Sequence, residues 1–212
     1  MTDHALSALV AIRICHDLAS PVGAVANLAD MLREDGDASS SDDLDLIFKT
    51  AERASCLLKL HRFVFGQSAS DPEGVPITAL RGHLAALETP GKVTVSVTSS
   101  ADLLPADQAR IAALLTLAGR SLVGLKGEVE LALDVSGHTP FALRVNGPRC
   151  RISDTQQGLL VDASDLPSKA SLLEFALLGQ ICAGEDRSIA VTEREGELGV
   201  SIGPQSSRSP PV

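Results

Sequence analysis

Apolar positions recur at Ala11, Ile14, Leu18, Pro21, Val25, Leu28 and Leu32. These alternating steps of three and four draw one seam along a helix from about Thr2 to Arg33, with Thr2 or Asp3 able to cap its start. The polar stretch Glu34 to Asp43 reads as a loop. A second seam follows at Leu44, Ile47, Ala51, Ala54, Leu58 and Phe65, with His61 at the remaining heptad position as a packed or hydrogen-bonded residue. Two long helices and a short loop predict an antiparallel hairpin. Leu57, Leu60 and Val64 widen the second stripe beyond what two helices can cover. A second copy of the chain is expected to cover it, giving a homodimer on a four-helix bundle. The alternative is packing of that stripe against the chain's own C-terminal half.

Gly, Ser and Pro crowd residues Gly66 to Pro76, the composition of a linker, so a boundary is placed between a hairpin at 1–66 and a second domain at 77–203. Within the second domain, helices are predicted at Ile77–Leu87, Pro105–Leu122 and Pro167–Cys182. Alternation predicts strands at Lys92–Thr98, Glu128–Val135, Phe141–Val145, Ser188–Thr192 and Leu198–Ile202. The order predicts an α+β fold, a two-layer α/β sandwich with helices on one face of a mixed sheet. The tail 204–212 is expected to be disordered.

Aromatic residues make up only 2%, with no Trp or Tyr, so the core must be aliphatic. A formal net charge of −9 argues against a nucleic-acid partner, because affinity for polyanions comes from clustered Lys and Arg. Cys15, Cys56, Cys150 and Cys182 are scattered without zinc-ligand spacing and read as reduced, mainly packed thiols. No run of about 18 apolar residues and no leader pattern occurs, so a soluble cytoplasmic protein away from the membrane is expected.

His16 lies two residues past Ile14 and two before Leu18, on the face opposite the first seam, and should be exposed. A neutral imidazole is a good nucleophile and can carry a phosphoryl group on a ring nitrogen. Leu9, Ile12, Arg13, Ala19, Ser20 and Gly23 share its face and form a docking surface of mostly small or apolar residues. Leu9 and Ile12 could equally pack against the rest of the chain. Arg13 could neutralise a phosphoryl group, pair with an acidic partner, or be a plain surface charge. Asp17 is the supporting acid, able to hold the ring if neighbouring helical residues can meet. Pro21 removes a backbone donor and crowds the Asp17 carbonyl, which predicts a kink. Alone, His16 would read as an ordinary surface residue.

The set His16-Asp17-Leu18-x-x-Pro21 resembles the phosphoacceptor box of bacterial histidine kinases and histidine phosphotransferases. Residues 77–203 resemble the kinase ATP-binding domain in degenerate form. Where that family carries Leu-Leu-Asn-Leu-x-x-Asn-Ala, with the second Asn holding the nucleotide's metal, this chain has Leu114 to Ser121, and Thr116 and Arg120 replace both Asn. The run Val145 to Cys150 lacks the adenine-reading carboxylate, and no Gly-rich lid lies between Gly158 and Pro167. Arg149 and Arg151 read as solvated charges rather than phosphate ligands.

Over nearly its whole length the chain resembles the ChpT-type histidine phosphotransferases, most specifically at Arg13 to Ala24. The resemblance implies that His16 accepts phosphate from a receiver-domain aspartyl-phosphate of a hybrid histidine kinase and passes it to the receiver domains of response regulators. It also implies that the chain binds no ATP and no cofactor of its own, the partner receiver bringing Mg²⁺. Two other classes stay open: an ATP-dependent kinase with a diverged nucleotide site, and a non-enzymatic dimeric scaffold that binds receivers.

Overall fold

The computed structural model describes residues 2–35, 41–66, 74–134, 140–162 and 166–205. Two helices, α1 (Thr2–Asp35) and α2 (Ser41–Phe65), pack together as the expected hairpin. Pro21 sits inside α1 without ending it. Asp42 and Asp43 in the first turn of α2 face the positive end of its dipole, and Arg62 lies in its last turn.

The rest of the chain builds the sandwich. Its short strand β1 (Val75–Pro76) pairs with β3 (Leu103–Leu104), so this end of the expected linker is ordered structure. Residues 67–73 of that linker and most of the expected tail lie outside the described residues. Five strands, β2 (Val93–Ser99), β4 (Gly127–Leu133), β5 (Phe141–Asn146), β6 (Arg187–Arg194) and β7 (Glu197–Pro204), form one sheet in the order β2-β4-β5-β7-β6. Only β2 and β4 run parallel, joined through α4 (Ala106–Val123), and the other pairings are antiparallel. Val129, Leu131, Phe141, Leu143, Val145, Leu198, Val200 and Ile202 are buried at alternate positions. α4 and α6 (Leu173–Gly184) cover that face, while Glu130 and Arg144 pair across the open one.

Close helix packing explains two glycines. A Cβ on Gly119 of α4 would sit 2.7 Å from a methyl of Leu143, so glycine there lets the helix lie flat on the sheet. On Gly179 it would sit 2.2 Å from the carbonyl oxygen of Leu159 in α5 (Asp154–Val161). The sequence pattern did not reveal α5, whose eight residues are too short for a period. Its signal is local: Ser153 and Gln156 form a capping box.

The surplus stripe of α2 is covered by the chain itself. Leu57, Leu60 and Val64 are buried in one core with Leu80, Leu84 and Leu87, where α2 meets α3 (Ile77–Leu84), the following turn and α4. The reason given for a second copy therefore falls, since the sandwich supplies the missing cover. Leu9 likewise packs against this core, whereas Ile12 is exposed.

Another apolar surface stays open. Along α1, Ala5, Ala8, Ile12, Cys15, Ala19, Val22, Ala26 and Ala29 are all exposed and repeat at steps of three and four. On α2, Leu44, Phe48, Ala51 and Leu58 do the same, so three members of the expected second seam face outward. Two apolar seams on one helix also explain why α1 is long and apolar enough over His4–Glu34 to cross a membrane by length and composition. Its charged Arg13 and Asp17 nevertheless pair with α6 and α2. Of the thiols, expected to be mainly packed, Cys150 and Cys182 are buried, Cys56 is half-buried and Cys15 is exposed.

Candidate functional site

Near the middle of α1, Arg13, His16 and Asp17 meet His61 of α2 and Glu174 of α6. The His16 side chain is 79% exposed, and its Nδ1 lies 3.1 Å from Asp17 Oδ1. Adjacent helical residues do meet here, because the exposed ring can fold down along the helix surface. An ionised carboxylate only accepts, so this contact requires the proton on Nδ1 and leaves Nε2 as the basic nitrogen.

Asp17 is held from three sides. Arg13, one turn earlier, donates to the same Oδ1 at 3.1 Å. His61 Nε2 stands 3.1 Å from Oδ2, a close polar contact off the line of a good hydrogen bond. Burial pushes the Asp17 carboxyl up, but His61, Arg13 and His16 together outweigh it and hold its pKa below the ordinary value. Asp17 is thus an anion at neutral pH. His61 is wholly buried and stacks on Phe65 with ring centres 5.5 Å apart, consistent with the packed role its seam position suggested.

Arg13 has a second anchor. Its Nε donates to Oε1 of Glu174 at 2.7 Å, and a terminal nitrogen lies 2.6 Å from the same oxygen. Glu174 is fully buried in the first turn of α6, and among the described residues its Oε2 has no hydrogen-bond partner. Burial raises its pKa, and Arg13 only partly opposes that. Arg13 is therefore turned inward between two carboxylates, not free on the surface as a docking residue would be. Sequence reasoning missed Glu174, although a single acid in the apolar run Leu172 to Leu178 is the signal that could have found it.

The other expected docking residues fall in different surroundings. Ile12 and Ala19 are exposed on the open seam of α1, beside His16. Ser20 is exposed and borders a groove of about 830 Å³ between the hairpin and Pro90, and Gly23 is half-buried. Arg149 and Arg151 are exposed.

Between the His16 edge of α1 and the sandwich lies a cleft of about 360 Å³, with Arg13, Arg53, Leu87, Arg120 and Ser121 among its walls. Arg120 donates from Nε to the Leu87 carbonyl and from a terminal nitrogen to the Gly124 carbonyl, both at 2.9 Å. Thr116, at the other replaced Asn position, is buried and donates its hydroxyl to Ala112 of its own helix.

The chain is 31% identical over 150 residues to the protein phosphotransferase ChpT of Brucella abortus (strain 2308), covering 69% of this chain and 70% of that protein. It superposes on the structure of a bacterial phosphotransferase with a TM-score of 0.77 and 23% identity, covering 95% of this chain and 97% of the other. The histidine kinase domain of a blue-light activated kinase from Erythrobacter litoralis matches at a TM-score of 0.46 and 16% identity, over 95% of this chain and 93% of that one. No protein-family model matches the chain.

Proposed function

The chain belongs to the ChpT protein phosphotransferases, and from that premise we propose that His16 is the residue that carries the phosphoryl group. Its Nε2 attacks the phosphorus of an aspartyl-phosphate in the receiver domain of a hybrid histidine kinase. The acyl O–P bond breaks, an N–P bond forms, and the receiver's carboxylate leaves with the electron pair. The reverse attack, by the aspartate of a response regulator's receiver, returns the group. Positive charge that develops on the imidazole is offset by the Asp17 anion at Nδ1. The receiver, with its own acidic pocket and Mg²⁺, supplies the charge stabilisation at phosphorus.

The observation that carries this reading is an exposed ring whose inner nitrogen is held by an ionised carboxylate. Such a ring is oriented without being occluded. The replaced nucleotide-site positions support a carrier that does not use ATP: Arg120 puts a cation where the kinases place a metal-holding Asn, and Thr116 turns to its own helix. A homodimer belongs to the same reading. The exposed seams of α1 and α2 are the surface a second hairpin would cover in a four-helix bundle, leaving each His16 at its edge.

Incubating the His16→Ala variant with a phosphorylated receiver and following the label tests the assignment. Acceptance is expected to vanish while the fold is retained, and undiminished acceptance would reject it.

A further inference from the structure

Arg53 of α2 and Arg120 of α4 converge on one hydroxyl. A terminal nitrogen of Arg120 lies 3.4 Å from Thr89 Oγ1, and a terminal nitrogen of Arg53 lies 3.5 Å from the same atom. Arg120 is further fixed by the Leu87 and Gly124 carbonyls, so its fork is set before any ligand arrives. Among the described residues neither arginine has a carboxylate at ion-pair distance, whereas Arg13, Arg33, Arg144 and Arg187 all do. The Asp17 anion lines the same cleft but lies outside ion-pair distance of either, so the two guanidinium groups repel one another, and burial together with Arg53 works against the protonated form of Arg120. Both line the cleft that His16 also lines.

We propose that Arg53 and Arg120 form a phosphoryl-binding subsite beside His16, which holds a tetrahedral phosphoryl dianion through two guanidinium forks. The inference rests on His16 being the phosphoacceptor. A phosphoryl group has three equivalent oxygens and can engage both forks at once, which a carboxylate cannot do with the same reach. Arg13, the third guanidinium of the cleft, is already held by Glu174 and Asp17 and leaves this role to the other two. The dianion has two possible sources, the group carried on His16 or free inorganic phosphate.

The full chain, phosphorylated by phosphoramidate with loss of ammonia and with no receiver present, is titrated by ³¹P NMR. Arg53→Gln, at an exposed position, is expected to raise the apparent pKa of the phosphohistidine by about 0.5 through loss of one neighbouring cation. Arg120→Gln is expected to do the same, and Arg53→Lys to restore most of the wild-type value. Inorganic phosphate added to the His16→Ala variant distinguishes the sources. Shifts in the Arg53 and Arg120 side-chain N–H resonances there show that the subsite also takes free phosphate, while shifts only on phosphorylation of His16 assign it to the carried group. Identical phosphohistidine titrations in wild type and both Gln variants overturn the subsite. So does slowed transfer to receivers with an unmoved titration, which would make the arginines a receiver contact. Absence of any phosphohistidine signal is a different result: it defeats the phosphoacceptor assignment itself, and the subsite with it.

Discussion

Arg13 on the hairpin and Glu174 in the sandwich are joined through a single oxygen, with guanidinium nitrogens 2.7 and 2.6 Å from Oε1. Because Arg13 also donates to Asp17, which meets Nδ1 of His16, a continuous polar path runs from the buried start of α6 to the exposed ring. The second part of the fold thus helps to set the orientation of the proposed phosphoacceptor.

Removing Arg13 leaves the Glu174 carboxylate buried and unpaired. Arg13→Ala is therefore expected to destabilise the fold by roughly 3–5 kcal/mol, read as a lower urea midpoint at neutral pH. Glu174→Gln keeps an acceptor at Oε1 and should cost distinctly less. Equal midpoints for Arg13→Ala and wild type would mean that the pair contributes nothing.

The two carboxylates on Arg13 should act oppositely on acid stability. Glu174 has a raised folded pKa, so the native state binds the extra proton. Stability from this group grows as pH falls from the raised value and is complete below its ordinary value of 4.5. Asp17 has a lowered folded pKa, so its contribution is present above 3.8 and is lost as pH falls through the lowered value. Urea midpoints of wild type and Glu174→Gln, whose amide does not titrate, should move in favour of wild type as pH drops toward 4.5. A difference that stays flat across that window would contradict the raised pKa.

Asp17→Asn tests the orientation of the ring. The amide can donate or accept, so it no longer requires the proton on Nδ1. Phosphate acceptance is expected to fall roughly ten- to a hundredfold, by analogy with the loss of a carboxylate that orients a metal-binding histidine. In ¹⁵N spectra the wild type should show the Nδ1–H tautomer of His16, and the variant a mixture. An unchanged tautomer with unchanged acceptance would remove Asp17 from the mechanism.

The local part of this arrangement was legible in the sequence, and the distant part was not. Helical spacing alone turned His16 outward and set His61 on a seam, and the alternation in β4, β5 and β7 fixed which sheet face is buried. What lies across the hairpin–sandwich boundary depends on how the two pack, which no period records. For that reason Glu174 escaped notice, Arg13 was placed on the outside, and the stripe at Leu57, Leu60 and Val64 was assigned to a second copy. The short α5 went unread, its one sequence signal being the Ser153 and Gln156 cap rather than any period.

Two leucines on α2 separate the roles of the stripes. Leu60 is fully buried in the core shared with the sandwich, while Leu58 is 51% exposed on the seam with Phe48 and Leu44. Burying an unpaired carboxylate at position 60 is prohibitive, so Leu60→Glu should prevent folding. Leu58→Glu instead places a charge where a second hairpin would pack. It should leave the circular dichroism spectrum and the thermal transition near those of a folded chain while halving the mass seen by light scattering. A Leu58→Glu protein whose mass matches wild type at every concentration would show that this seam is not the dimer interface.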